Sequence, residues 1–265
     1  MLFRFEGYYR NASSIEIVFV CLDKYFVFLD KNVQIQAFIK YNIYMTAKDA
    51  IFFELFPHQV NKGDLKRYEI IGAAIDCFAK EGFEGGTFDA IAKKLKTRRS
   101  HIAYYFSDKD ELFSSALRYI IAQAQKVTVE FIAQKKEPLE QVIAMSDAAF
   151  EWAKQYPKQA QVLMLFYYSA ATSPKYKKMH SEIRKAGLSR IHALVREEFK
   201  RREFEIEDVD VDLHSRALHS LMTGFVLDQI TTTMGNEADL TSAARFSYSQ
   251  FFKNLPGDPS TASKK

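Results

Sequence analysis

The sequence predicts an all-α fold built from two helical parts, and three observations predict it. From Asp64 onward apolar residues recur at helical spacing instead of alternating. No glycine falls between Gly86 and Gly187, so a long stretch lacks the residue that most readily interrupts a helix. Pro138, Pro157 and Pro174 stand where they punctuate helices rather than break them. The expected helices are Leu65–Glu81, Phe88–Leu95, Arg98–Phe106, Lys109–Lys135, Leu139–Gln155, Lys158–Ala171, Lys175–Phe204, Val211–Met234 and Thr241–Leu255.

The first of these carries Ile71, Ala74, Ile75 and Phe78 on one side. Gly82 after Glu81 is a natural left-handed stop. Gly85-Gly86 makes a turn, and Thr87 is a good N-cap for the second helix. There Phe88, Ile91, Ala92 and Leu95 face inward. A tight turn at Lys96-Thr97 leads to a short third helix whose inner face is Ile102 and Phe106. Two short helices joined by a tight turn and braced by a longer one describe a helix-turn-helix. Ser107…Asp110 and Asp108…Glu111 each fit a capping box at the start of the fourth helix.

Charge is concentrated in that unit. The whole chain is only +4, but Lys93, Lys94, Lys96, Arg98 and Arg99 place five basic residues in seven positions. A lone charge run is ordinarily a solvated face. Here it falls on the turn and outer face of a patterned helix pair. With Ile102 and Phe106 inward, Arg99, Ser100, Ala103 and Tyr104 point outward, beside Arg98 and His101. A short exposed cationic helix suits the DNA major groove, where arginine can grip the O6/N7 edge of guanine with two hydrogen bonds. Tyr104 and Tyr105 offer hydroxyls to phosphates, and Lys109 lies beside free helix amides as a phosphate clamp.

Ile70 to Phe113 resembles the DNA-binding domain of TetR-type transcriptional repressors. The matching words are Ala73-Ala74, Phe78-Ala79, Glu81-Gly82-Phe83, Thr87, Ile91-Ala92, Ile102, Tyr104-Tyr105-Phe106 and Lys109…Glu111-Leu112. The resemblance implies a homodimer on double-stranded DNA and a variable C-terminal helical domain that binds a small molecule. It also implies that Arg99 and Ser100 read bases, that Tyr104, Tyr105 and Lys109 hold phosphates, and that Thr87 touches the backbone. Three residues depart from the pattern: Lys96 for the turn glycine, Ala103 for an aromatic, and the acidic Asp89 at the start of the second helix.

The expected organisation is an extension over residues 1–44, an arm over 45–63, the helix-turn-helix domain over 64–112, a helical effector-binding and dimerisation domain over 113–255, and a tail over 256–265. The extension holds 11 of the 38 aromatic residues, and Ile15 to Leu29 reads as one or two strands. Three readings compete for it: a genuine hairpin, an unrelated extension, or translated upstream sequence with the true start at Met45. The last is preferred.

In the second domain Phe131, Met145, Phe150, Trp152, Met164, Tyr167 and Tyr168 are candidate pocket residues for an apolar effector, though each is individually a natural core residue. Asp147 and Glu151 suit a cationic ligand or a wet face. Ala217, Ser220, Leu221, Gly224 and Phe225, with Phe246 and Phe251, form a candidate dimer surface or intrachain packing.

Composition excludes other classes. At 48% hydrophobic and 26% charged, wholesale disorder is ruled out. Cys21 and Cys77 cannot build a disulfide framework or a multi-cysteine zinc site. No apolar run reaches the ~18 residues of a membrane span, and Glu6 and Arg10 spoil a secretory signal. Walker, dinucleotide, HExxH and Gly-x-Ser-x-Gly patterns are missing, so no enzyme, cofactor or metal is expected, and the location expected is the cytoplasm. Two alternatives stay open: a DNA-binding regulator without a small-molecule ligand, and a helical binding protein or enzyme with an incidental basic face.

Overall fold

The computed structural model describes residues 17–22, 25–30, 62–232 and 237–256. The alternative start at Met45, residues 45–61 of the expected arm and the tail after Pro256 lie outside the described residues. In the extension β1 (Ile17–Leu22) pairs antiparallel with β2 (Tyr25–Asp30), from Ile17 opposite Asp30 to Leu22 opposite Tyr25. This segment contains two strands.

Helices follow in the expected order: α1 (Lys62–Gly85), α2 (Phe88–Lys94), α3 (Arg99–Tyr105), α4 (Lys109–Ile132), α5 (Pro138–Gln155), α6 (Pro157–Thr172), α7 (Pro174–Arg201), α8 (Asp208–Thr231) and α9 (Glu237–Lys253). Most ends fall within a few residues of expectation. The regular part of α1 ends at Gly82, whose φ of 70° is the left-handed stop its position suggested. Pro138, Pro157 and Pro174 each occupy the first turn of a helix, where their missing N–H costs nothing.

Two hydrophobic cores organise the helices. The first joins α1, α2 and α3 to α4, the end of α5, α6 and the start of α7 through Phe78, Ile91, Ile102, Phe106, Phe113, Trp152, Phe166 and Tyr176. Phe113 is its hinge point. Its ring lies 5.0 Å from both Phe78 and Phe83 and 5.4 Å from Tyr176. The helix-turn-helix unit therefore shares a continuous interior with α6 and α7 across the expected boundary at 112/113. The second core joins α5, α7, α8 and α9 through Val142, Phe150, Val195, Phe199, Leu218 and Tyr248. Arg202 locks its far end: Nε donates to Glu198 at 2.9 Å while the two Nη atoms donate to the carbonyls of Leu255 and Phe252 at 3.0 and 2.6 Å. Those carbonyls close α9, so one cation ties two helix ends together. Cys77 is buried, as its place on the inner face of α1 requires.

Candidate nucleic-acid interface

Local chemistry shapes the reading head. Thr87 Oγ accepts from the Ala90 amide at 3.2 Å and caps α2. At the other end of α2 the Thr97 amide donates to Ala92 O (2.9 Å) and the Lys96 amide to Lys93 O (3.2 Å). This paired closure is a Schellman motif, which needs a left-handed residue at its centre. Lys96 fills that place with φ 52°. A side chain there costs roughly 1–2 kcal/mol, partly offset by the lower entropy of the unfolded chain. Lys96→Gly is accordingly expected to raise stability by about 0.5–1 kcal/mol, read as a higher thermal midpoint. An unchanged or lower midpoint contradicts the strained turn.

Arg98 then adopts extended backbone and α3 begins. Ile102 and Phe106 are 0% and 1% exposed, which fixes the rotation of this short helix. Arg98, Arg99, Ser100, Ala103 and Tyr104 are exposed as expected, Tyr104 at 81%. His101 is half-buried and turns back to Thr97, with Nδ1 2.9 Å from Thr97 Oγ. Tyr105 is also half-buried, its ring edge-on to Tyr104 at 5.0 Å.

The basic residues are not equivalent. Lys94 is drawn inward to Asp76 at 2.8 Å. Arg99 lies on Asp89, Nε to Oδ2 3.5 Å, with both side chains well exposed. The acidic departure at Asp89 thus faces the arginine expected to read bases. The approach is to Nε, and the Arg99 side chain stays 65% exposed. Lys109 is held by Glu84 at 2.9 Å and sits 4.2 Å from the Phe83 ring centroid, so the expected phosphate clamp is engaged within the protein. Lys93, Lys96 and Arg98 make no ion pair with a described residue.

Arg67 of α1, missed by sequence reasoning, braces the back of α3. Its Nη1 donates to Tyr105 O at 2.7 Å, its guanidinium lies 4.5 Å from the Phe106 ring centroid, and Nη2 is 3.7 Å from Glu111. Of the two capping registers, Asp108…Glu111 forms: Asp108 Oδ1 accepts from the Glu111 amide at 2.7 Å. Glu111 reaches back to the Ser107 amide (2.7 Å) and hydroxyl (2.8 Å). The Ser107 amide, outweighing partial burial, holds the Glu111 carboxyl below its ordinary value.

Asp76 is the second brace. Burial pushes its carboxyl up, but hydrogen bonds from Lys158 and Lys94 hold it below its ordinary value. It thereby links α2 to α6, with Lys158 at 2.8 Å. Both carboxylates have depressed folded values. Their stabilisation is complete above the ordinary carboxylate range of about 4 and is lost as pH falls through the folded values. Stability is expected to decline below about pH 4.5, and Glu111→Gln with Asp76→Asn should flatten that limb in melting curves. Curves of identical slope contradict these braces.

In the second domain the candidate pocket residues are divided. Phe150 belongs to the second core and Met145 packs against it, whereas Trp152 belongs to the first. Phe131 and Tyr168 are exposed, while Met164 and Tyr167 are half-buried. Asp147 is taken up by an ion pair with Arg245 at 2.6 Å, and Glu151 accepts from the Gln155 amide. Of the candidate dimer residues, Ala217, Ser220, Gly224 and Phe246 are exposed, whereas Leu221, Phe225 and Phe251 pack against the second core.

A helix-turn-helix whose outer helix is exposed and cationic, joined to a larger helical domain, defines the class of the protein. Residues 70–116 match the family described as bacterial regulatory proteins, tetR family. The transcriptional repressor NicS of Pseudomonas putida is 32% identical over 89 residues, 32% of this chain and 42% of NicS. The regulator BetI of Stenotrophomonas maltophilia is 25% identical over 112 residues, 42% of this chain and 57% of BetI. The matches therefore span less than two thirds of these relatives. Among solved structures, a transcriptional regulator from Rhodococcus sp. Rha1 has TM-score 0.60 at 20% identity, covering 71% of this chain and 96% of that one. A regulator from Saccharomonospora viridis in complex with choline has TM-score 0.59 at 18% identity, covering 72% and 96%. These structures share the fold. Residues 70–116 thus match the DNA-binding domain of the tetR family of bacterial regulatory proteins.

Proposed function

We propose that the protein is a cytoplasmic repressor that grips a palindromic operator as a homodimer and is released by a small-molecule effector. The observation that carries this reading is the orientation of α3. Buried Ile102 and Phe106 leave Arg98, Arg99, Ser100 and Tyr104 facing outward on a positive surface. The repressor names of NicS and of AcnR from Corynebacterium diphtheriae support repression.

An exposed stripe supports a dimer. Leu213, Ala217, Ser220 and Gly224 recur along one side of α8, and Phe246 of α9 is 66% exposed. A Cβ at Gly224 meets nothing within 4 Å, so this side is open to a second copy. Two-fold symmetry places two α3 helices in grooves about one DNA turn apart.

Effector coupling is supported by contacts that join the reading head to the second domain. Tyr176 at the start of α7 donates to Asp110, and Lys175 lies 3.7 Å from the same carboxylate. Together with the Asp76 link, these make the position of α1–α3 sensitive to α6 and α7. An effector acts only by binding one spacing of the heads better than the other. The choline complex of the Saccharomonospora regulator supports a small-molecule site in this fold.

Selection of bound genomic fragments followed by footprinting tests the proposal. The expected result is a two-fold symmetric site with half-sites one helical turn, or a multiple of it, apart. Failure to enrich any sequence overturns it.

A further inference from the structure

Three half-buried polar side chains meet Arg184 where α6, α7 and α8 come together. Tyr167 of α6 and His180 of α7 have ring centroids 5.1 Å apart, and Phe166 lies 5.7 Å from the same imidazole. Arg184, one turn beyond His180, donates to Ser220 of α8 at 3.4 Å. Its charge acts on Tyr167, His180 and His219 alike. His219 completes the group from α8.

The hydrogen bonds assign the state of His219. Thr223 donates its hydroxyl proton to the His219 carbonyl at 2.8 Å. Its oxygen is then the acceptor for Nδ1–H, at 3.4 Å. This leaves Nε2 with a free lone pair. Nε2 faces Gly187 so closely that a Cβ added there would lie 3.2 Å from it. Glycine inside a helix is destabilising relative to alanine. Here its missing side chain leaves space beside Nε2. Neither that nitrogen, nor the Tyr167 hydroxyl, nor the His180 nitrogens have a hydrogen-bond partner among the described residues. These polar atoms are therefore available to a ligand.

We propose that Tyr167, His180, Arg184 and His219 form the head-group site for a small organic carboxylate, with Phe166 as its apolar wall. The proposal rests on the effector-binding reading above and names its ligand class. A carboxylate accepts from the Tyr167 hydroxyl, a His180 N–H and the Arg184 guanidinium. A quaternary ammonium meets the charge of Arg184 instead. Burial first, then Arg184, His180 and Arg190 of α7, push His219 down to about 4, and burial and Arg184 lower His180. Both imidazoles are therefore neutral at pH 7. A bound anion opposes that depression and draws a proton onto His219, turning Nε2 into a further donor. Tyr167 is the titratable group α6 contributes, and it stays neutral because burial raises it.

Calorimetry on the full chain with benzoate, phenylacetate and hexanoate tests the site, with benzamide, benzyl alcohol and choline as matched controls. Two buffers of different ionisation enthalpy at pH 6 read proton uptake. At least one carboxylate is expected to bind with proton uptake and at least tenfold more tightly than its neutral or cationic controls. Arg184→Gln, at an exposed position, should weaken it at least tenfold. Gly187→Ala crowds His219 Nε2 from the α7 backbone: carboxylate binding should be lost, while persisting operator binding shows that the fold is intact. Absence of carboxylate binding, or equal binding of the controls, overturns the site while leaving DNA recognition standing. A carboxylate that binds but does not release the operator upholds the site and overturns its regulatory role.

Discussion

Gly86→Ala is expected to destabilise the reading head by about 3 kcal/mol, at the upper end of overpacking costs. A Cβ at Gly86 lies 2.2 Å from Phe78 Cδ1 and 2.3 Å from Cε1. Contacts that short force movement. Phe78 is fully buried, edge-on to Phe113 and stacked on Phe83 at 6.2 Å, so its ring has nowhere to go. The backbone must shift instead, and Gly86 immediately precedes the Thr87 cap of α2. The insult therefore reaches both the core and the orientation of the DNA-facing pair. The expected loss corresponds to a melting point lower by roughly 6–12 °C, accompanied by weaker DNA binding. A midpoint within about 1 °C of the parent contradicts the close approach of Phe78.

Arg99→Ala is expected to lower operator affinity 10–100-fold, about 1–3 kcal/mol, and to relax preference at one base step. The side chain is well exposed, so removing it leaves the fold intact. Lys93→Ala is the contrast. It removes an exposed cation from α2 and should weaken all DNA modestly and uniformly, with a shallower salt slope. Asp89→Asn should move the other way on arbitrary DNA, because an acid near the phosphates opposes binding, while discrimination falls as Arg99 loses its support. Binding titrations on operator and scrambled duplexes read all three. An Arg99→Ala protein with unchanged affinity and footprint removes this residue from the interface.

The parts of this picture that were legible in the sequence are those built by near neighbours. Gly82, Thr87 and Asp108 act within one helical turn, and the inward pair Ile102 and Phe106 fixes α3 from spacing alone. Even the strained Lys96 was visible as a departure at a position needing a left-handed residue. Long-range pairs were not legible. Arg67 meets Tyr105 across 38 positions, and Arg202 reaches Phe252 across 50. Local periodicity carries no trace of such partners. The pocket set failed to gather for the same reason. Large apolar residues mark burial without saying in which core, so Phe150 and Trp152, two positions apart, went to different ones. Of that set, only Tyr167 joins the polar cluster, and its partners His180, Arg184 and His219 come from two other helices. Nothing local to His219 signals a partner on α7.

The salt dependence of binding to the selected DNA fragment tests the central claim most directly. If α3 lies along a duplex with its cations on the phosphates, affinity should fall roughly a thousandfold between about 50 and 200 mM monovalent salt. Affinity that stays flat across that range, or equal flat binding to any acidic polymer, contradicts a DNA-reading role for this helix.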